Sequence, residues 1–136
     1  MRTNSKGILR IDWDENNSCQ IVFEPRDSTV WLHRSELPAL FGISIQAVSA
    51  CIDVILKDNI VDVNTTCKYD LCVTGSRIKH NVQEVRLDMI IAMAFRLGSA
   101  NAKILREWFI RRCLYGIAVS YTHVTLSTIY FVWRPV

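Results

Sequence analysis

The sequence predicts a single domain of the α+β class. Apolar and polar residues alternate in two stretches, 9–23 and 68–86, and this alternation indicates two β-hairpins. Apolar residues at helical spacing indicate a short helix before Gly42 and a longer helix after it. The stretch 87–113 adds a buried helix and then a basic amphipathic helix, and the rest of the chain is expected to pack around this pair.

Composition and charge narrow the class of protein. Half of the 136 residues are hydrophobic and 21% are charged, an ordinary globular composition in a chain long enough to bury a core. The net charge of +3 is too small to indicate nucleic-acid binding by itself. Five cysteines fit no disulfide framework, and the N-terminus lacks the apolar segment of a signal peptide. We therefore expect a cytoplasmic protein. We expect no membrane span, because the apolar run 87–97 is shorter than the roughly 20 residues that a bilayer requires.

The N-terminal hairpin is predicted from two alternating runs and the turn between them. Residues 14–18 (DENNS) have the composition of a turn. Three apolar residues precede this turn at every second position and three follow it: Leu9, Ile11 and Trp13, then Cys19, Ile21 and Phe23. This spacing indicates two half-buried strands.

The stretch 35–59 has the outline of a helix-turn-helix. Ser35 is expected to cap a short helix with Pro38 in its first turn, where a missing N–H removes no helical hydrogen bond. Gly42 permits a sharp turn, and Ser44 is expected to cap a second helix. This second helix carries apolar residues at positions i, i+4 and i+7: Val48, Ile52 and Ile55. The same pattern also fits two helices buried as a corner inside the fold, and the pattern alone favours neither interpretation.

A second hairpin is predicted on either side of Gly75 and Ser76, which together form a good two-residue turn. Its strands are expected at 68–74 and 77–86. A hairpin that follows a helix-turn-helix corresponds to a wing, so the predicted unit is winged-helix-like.

The central helix pair follows directly after this hairpin. Gly98 is expected to end the first helix, and Ser99 is expected to cap the second. The second helix carries an apolar stripe formed by Ile104, Leu105 and Trp108.

Three blocks of the chain resemble the N-terminal module of the RhuM family of virulence- and mobile-element-associated bacterial proteins. TVWLHRSELPALFGISIQAVS is similar to the family's TVWLTQxxMAxLFxVSxxTIS, LDMIIAMAFRLGS is similar to LDxIIAVGYRVNS, and LREWFIRR is similar to FRQWATKVL. The residues that match by position are Trp31, Leu40, Phe41, Ser44, Ser49, Arg96, Ser99, Arg106 and Trp108. The resemblance implies a RhuM-like helix-turn-helix module over 7–113, described for the family as DNA-binding or virulence-associated. Complete members are considerably longer, so the chain is expected to be a fragment that lacks a C-terminal region.

Binding to double-stranded DNA is the expected function. Between 86 and 113 six basic residues (Arg86, Arg96, Lys103, Arg106, Arg111, Arg112) stand against Asp88 and Glu107, and basic side chains bind DNA by neutralising its phosphates. In the second helix of the helix-turn-helix, by contrast, the only charged residue from 44 to 56 is Asp53, and Gln46 is the side chain suited to reading a base edge. The predicted DNA-binding residues are Ser44, Gln46, Ser49, Arg96, Lys103, Arg106 and Arg111.

A protein-interaction or dimerisation module with a degenerate helix-turn-helix is the alternative. It would use the apolar faces around Phe109, Ile110 and Cys113 to pair with a second copy or with the missing C-terminal region. The scarcity of base-reading side chains on the second helix favours this alternative.

No catalytic, metal or cofactor site is predicted. His33 and His80 have no nucleophile or acid motif around them, and the chain has neither a phosphate-cradling glycine loop nor an HExxH sequence. Cys67 and Cys72 are five residues apart, which on a regular strand places them on opposite faces. We therefore expect no enzymatic activity, no metal, no cofactor and no small-molecule substrate.

The segment 119–136 continues no pattern of the preceding chain. Its sequence resembles the translated sequencing-adapter read-through in which SYTHLTLPT-like strings recur, and we expect it not to be native protein. The alternative is a terminal β-strand, because 122–132 is rich in residues that favour strands.

Overall fold

The computed structural model describes residues 6–119 and 129–133, with side chains through residue 114. Its elements in chain order are β1 (Ile8–Trp13), β2 (Cys19–Glu24), β3 (Trp31–His33), α1 (Leu37–Phe41), α2 (Ile45–Lys57), α3 (Val63–Thr66), β4 (Cys67–Thr74), β5 (Arg77–Arg86), α4 (Leu87–Arg96), α5 (Ala100–Val119) and β6 (Ile129–Trp133). A 3-10 turn, Arg34–Glu36, joins β3 to α1. The α+β class is confirmed.

The N-terminal hairpin is confirmed, with β1 and β2 antiparallel and Trp13 opposite Cys19 next to the turn. The Asp14 carboxylate holds this turn, because it accepts hydrogen bonds from the amides of Asn16 (2.8 Å) and Ser18 (3.0 Å). The buried side chains of β2, with Ile21 and Phe23 at 0% and 4% exposure, anchor the hairpin to the core.

The second hairpin is also confirmed and belongs to a three-stranded sheet of order β3-β5-β4. Gly75 lies at its tip with φ +61°, a left-handed conformation that glycine adopts without steric cost. The register shifts between Lys68 and Tyr69, which marks a β-bulge. Because β5 is central, β4 lies at the edge of this sheet in the described part of the chain.

The turn between α1 and α2 forms as the sequence predicts. Gly42 has φ +65° and closes α1, and the Ser44 hydroxyl accepts a hydrogen bond from the amide of Ala47 (3.1 Å) at the start of α2. The predicted cap at Ser35 is wrong. Ser35 lies inside the 3-10 turn, where its amide donates to the His33 ring (3.1 Å), and the Glu36 carboxylate accepts from the His33 amide (2.7 Å). This reciprocal capping by His33 and Glu36 leaves α1 to start at Leu37 as a continuation of the turn.

Helix α4 is buried along one face rather than all round. Met89, Ile90, Met93 and Ala94 are completely buried, whereas Phe95 is 51% exposed. The helix ends because Leu97 adopts extended backbone (φ −80°, ψ 146°). Gly98 has no left-handed conformation, so the expectation that it terminates the helix as a glycine cap is wrong.

Helix α5 presents the predicted apolar stripe to the core, with Ile104, Leu105 and Trp108 at most 2% exposed. Ser99 caps it as expected, because its hydroxyl accepts from the amide of Ala102 (3.1 Å). The same hydroxyl donates to the carbonyl of Phe41 (2.6 Å), and the Asn101 amide donates to the carbonyl of Leu40 (3.0 Å). The start of α5 is thereby fastened to the turn between α1 and α2.

The segment 119–136 is described only in part. Residues 129–133 form β6, which pairs antiparallel with β2 and places Phe23 opposite Ile129. Residues 120–128 and 134–136 lie outside the described residues. The expectation that this segment is not native protein stays a prediction.

Candidate nucleic-acid interface

One face of α2 is open to solvent. Val48, Cys51, Ile52 and Ile55 face the core, and the opposite side of the helix is exposed. The exposed residues of this side are Ile45, Gln46, Ala50, Asp53 and Lys57. The helix is therefore not sealed inside the fold, and Gln46 is available for a contact with a partner.

Ser49 lies at the border of this face and is held by Arg34. The Arg34 guanidinium donates to the Ser49 hydroxyl (Nη2 to Oγ, 2.5 Å) and to the Asn81 amide oxygen (Nη1 to Oδ1, 3.5 Å). Arg34 follows β3 and Asn81 lies on β5, so one half-buried side chain connects the sheet to α2.

A groove of about 340 Å³ separates α2 from β5. We call it the α2–β5 groove; its polar lining includes Arg34, Ser49, Asp53, Lys79 and Asn81. Across it the Lys79 ammonium lies 3.7 Å from the Asp53 carboxylate. The single acidic group of α2 is thus paired with a cation from the β4–β5 hairpin.

The β4–β5 hairpin carries both polar and apolar exposed side chains. Toward α2 the hairpin presents Lys79 and Asn81. Leu71, Val73 and Ile78 are 59%, 66% and 67% exposed, and Ile78 lines a cavity with Asp53, Leu56 and Lys57. The hairpin therefore presents both basic and apolar side chains next to α2.

The basic residues predicted from α4 and α5 have different surroundings. Arg96 is exposed, with its guanidinium 3.8 Å from the Asp58 carboxylate at the end of α2. Lys103 and Arg111 are exposed on α5. Arg106 is half-buried and its Nη1 donates to the carbonyls of Ala94 (2.8 Å) and Leu97 (2.6 Å), so this guanidinium caps the end of α4.

The structure therefore brings Ser44, Gln46 and Ser49 to one helix and turns Arg106 inward. It adds Arg34 and Lys79, which the sequence reasoning missed. For Lys79 a signal existed, since Arg77 and Lys79 stand two positions apart on a predicted strand and so share one face of it. For Arg34 no local pattern showed that it would reach Ser49 and Asn81.

A second, apolar groove of about 590 Å³ lies between α4 and α5. We call it the α4–α5 groove; its lining includes Ile91, Phe95, Phe109, Ile110 and Leu114. Phe95, Ile110 and Leu114 are 51%, 47% and 63% exposed.

Arg112 also lines the α4–α5 groove and is packed on aromatic rings. Its guanidinium carbon lies 4.8 Å from the ring centre of Phe23 and 5.4 Å from that of Trp108. Burial lowers the pKa of Arg112 from its usual value, although the side chain stays charged at any physiological pH.

No cluster of three or more His, Cys, Asp or Glu side chains that could hold a metal occurs among the described residues. Burial raises the pKa of the Cys51 and Cys67 thiols. The charge of Arg96 lowers the pKa of Cys51, and the hydrogen bond with Thr66 lowers that of Cys67, but burial outweighs both. In the described chain no single helix is both long enough and apolar enough to cross a membrane. The two helical segments on either side of Gly42 have that length and apolar character only when taken together, and they are bent by 106° relative to each other.

Comparisons with protein-family models, with curated proteins and with solved structures gave no match for this chain.

Proposed function

We propose that this chain is the DNA-binding module of a RhuM-like protein, built as a winged helix-turn-helix. The topology supports this proposal. Helices α1 and α2 lie between β3 and β4 in the chain, and Lys79 of the β4–β5 hairpin lies next to Asp53 of α2. In this arrangement α2 is the recognition helix and the β4–β5 hairpin is the wing.

The observation that carries the proposal is the uncovered face of α2. A helix that anchors one side in the core and leaves the other open, next to a basic strand, has the shape required to enter a major groove. Gln46 lies in the first turn of this face and has the amide needed for a bidentate contact with adenine. Arg77 at the hairpin tip and the exposed helix cations Arg96, Lys103 and Arg111 supply positive charge for phosphates.

A fluorescence-anisotropy titration of labelled duplex DNA tests the proposal. We expect dissociation constants in the micromolar range at low salt. A plot of log K, where K is the association constant, against log [salt] should have a slope of about −0.9 for each phosphate contacted. Lys103→Ala should reduce that slope by about one contact, whereas Arg10→Ala on β1 should not. No binding at tens of micromolar protein, or binding indifferent to salt, would refute DNA binding.

The α4–α5 groove favours a second candidate function, self-association. Exposed Phe95, Ile110 and Leu114 form one apolar patch with half-buried neighbours, and apolar patches rimmed by charge are typical of protein interfaces. In this role the groove would pack against the same groove of a second copy.

A further inference from the structure

The α2–β5 groove contains two cations and one anion. Arg34 is fixed by Ser49 and Asn81, while Lys79 reaches across to Asp53. The groove is open to solvent, and the side chains of Lys79 and Asp53 are 70% and 50% exposed. An ion pair this exposed contributes little to stability and is easily exchanged for another partner.

We propose that this groove binds one phosphate group of a DNA backbone, and that Asp53 takes the place of that phosphate when DNA is absent. On binding, the phosphate oxygens accept from Lys79 and Arg34, and the Asp53 carboxylate is released to solvent. The inference rests on the proposed DNA-binding function and adds its central contact. It also explains how an acidic residue is tolerated on a recognition helix.

Arg34 is suited to this role because its position is fixed in advance. A guanidinium has five N–H donors, and the hydrogen bonds to Ser49 and Asn81 use two of its nitrogens. A side chain already held by two elements loses little conformational freedom when it binds, which favours affinity. The phosphate would then set the distance between α2 and the backbone, and so position Gln46 over the base edges.

Charge in the groove has the sign that the proposal requires. With Asp53 paired to Lys79, the net contribution of Arg34, Lys79 and Asp53 is one positive charge. Neutralising Asp53 removes the internal competitor for Lys79 and also a repulsion of the phosphate.

The experiment compares two exchanges in the groove with a matched exposed pair outside it. Lys79→Ala and Asp53→Asn are titrated with a duplex oligonucleotide across about 50–200 mM salt, beside Arg10→Ala and Asp12→Asn. Arg10 and Asp12 form an ion pair of 3.0 Å on β1, with side chains 54% and 49% exposed. Circular dichroism and urea midpoints verify that every variant is folded.

We expect Lys79→Ala to weaken DNA binding several-fold and to reduce the salt slope by about 0.9, the value for one phosphate contact. Asp53→Asn should tighten binding several-fold. Arg34→Lys keeps the charge but loses the planar fork, so it should weaken binding with the slope nearly unchanged. The Arg10 and Asp12 variants should match the wild type.

The results distinguish failure of the groove inference from failure of the proposed function. If the wild type binds DNA while Lys79→Ala and Asp53→Asn behave like the β1 controls, the groove inference is overturned and DNA binding stands. If neither the wild type nor Asp53→Asn binds DNA, the proposed function fails and the inference with it. Inorganic phosphate is tested alone by ³¹P line broadening at constant ionic strength. If the protein does not bind DNA but broadens the phosphate line, and Lys79→Ala abolishes that broadening, the groove is a site for free phosphate. The proposed contact with the DNA backbone would then be overturned.

Discussion

The guanidinium of Arg106 joins two helices by hydrogen bonds to backbone carbonyls. Its Nη1 contacts the carbonyls of Ala94 and Leu97, at the point where α4 ends and its last carbonyls lack helical partners. A positive charge at the C-terminal end of a helix is also favoured by the helix dipole. The residue type that suggested phosphate binding in the sequence is therefore engaged in holding α4 against α5.

Arg106→Ala should lower the free energy of unfolding by about 2 kcal/mol, because it leaves two partly buried carbonyls without a charged donor. Lys103→Ala, on the exposed side of the same helix, should change it by less than about 0.5 kcal/mol. Urea denaturation followed by tryptophan fluorescence measures both. Equal unfolding midpoints for the two variants would show that the capping contacts contribute nothing.

Local residue patterns predicted most of the backbone. The turns at Gly42 and Gly75 need a left-handed conformation and are occupied by glycine, so the sequence located them correctly. The prediction at Gly98 was wrong because α4 ends where Leu97 adopts extended backbone, a conformation that does not require glycine. The prediction at Ser35 was wrong because the His33 ring caps the 3-10 turn, and histidine is not a common capping residue.

At the scale of elements, strand β5 is tied to the start of the described chain by an ion pair. Lys6 lies 2.6 Å from the Glu84 carboxylate, whose side chain is 17% exposed. Burial raises the pKa of this carboxyl, but the hydrogen bond and charge of Lys6, with the charges of Lys68 and His33, outweigh it. The pKa of Glu84 is therefore lower than usual.

This pKa gives the stability of the domain a defined pH dependence. A carboxyl whose pKa is lower in the folded chain contributes stability above its unfolded value, about 4.3, and loses it as the pH falls through the folded value. Glu84→Gln should therefore be less stable than the wild type at pH 7, and the difference should shrink below about pH 4.

Urea midpoints at pH 7 and at acid pH measure this effect. Glu15→Gln, in the exposed turn of the N-terminal hairpin, serves as the control for removing a carboxylate. A difference between Glu84→Gln and the wild type that stays constant with pH would contradict the assigned role of the Lys6 pair.

The candidate site was less accessible to sequence reasoning than the elements that build it. Ser44 and Gln46 could be placed, because a capped amphipathic helix fixes which positions face outward. The contacts of Arg34 with Ser49 and Asn81, and of Lys79 with Asp53, join residues 15 to 47 positions apart. Such contacts depend on how sheet and helix pack, which no local periodicity encodes.

At the scale of the whole molecule, the proposed self-association would use the apolar α4–α5 groove. Burying Phe95, Ile110 and Leu114 against a second copy would remove their exposed surface from water. Ile110→Glu would place a charge in that contact and should abolish it. Size-exclusion chromatography with light scattering should then show a concentration-dependent dimer for the wild type and a monomer for the variant.

Lys103→Glu is the matched control, since it introduces the same side chain at an exposed position of α5. It should leave the dimer intact. A wild type that remains monomeric at the highest concentration reached would exclude self-association through this groove and leave DNA binding as the sole candidate.

The outer strand of the β4–β5 hairpin also has a consequence for handling the protein. Within the described chain β4 is an eight-residue edge strand whose outward backbone groups pair with no further strand, and Leu71 and Val73 are mostly exposed on it. Exposed edge strands usually carry proline or lysine, which discourage pairing with other strands. The half of β4 nearest the hairpin tip, 71–74, has neither residue. In concentrated solution we therefore expect strands of other molecules to add first at this edge, and aggregation to begin there.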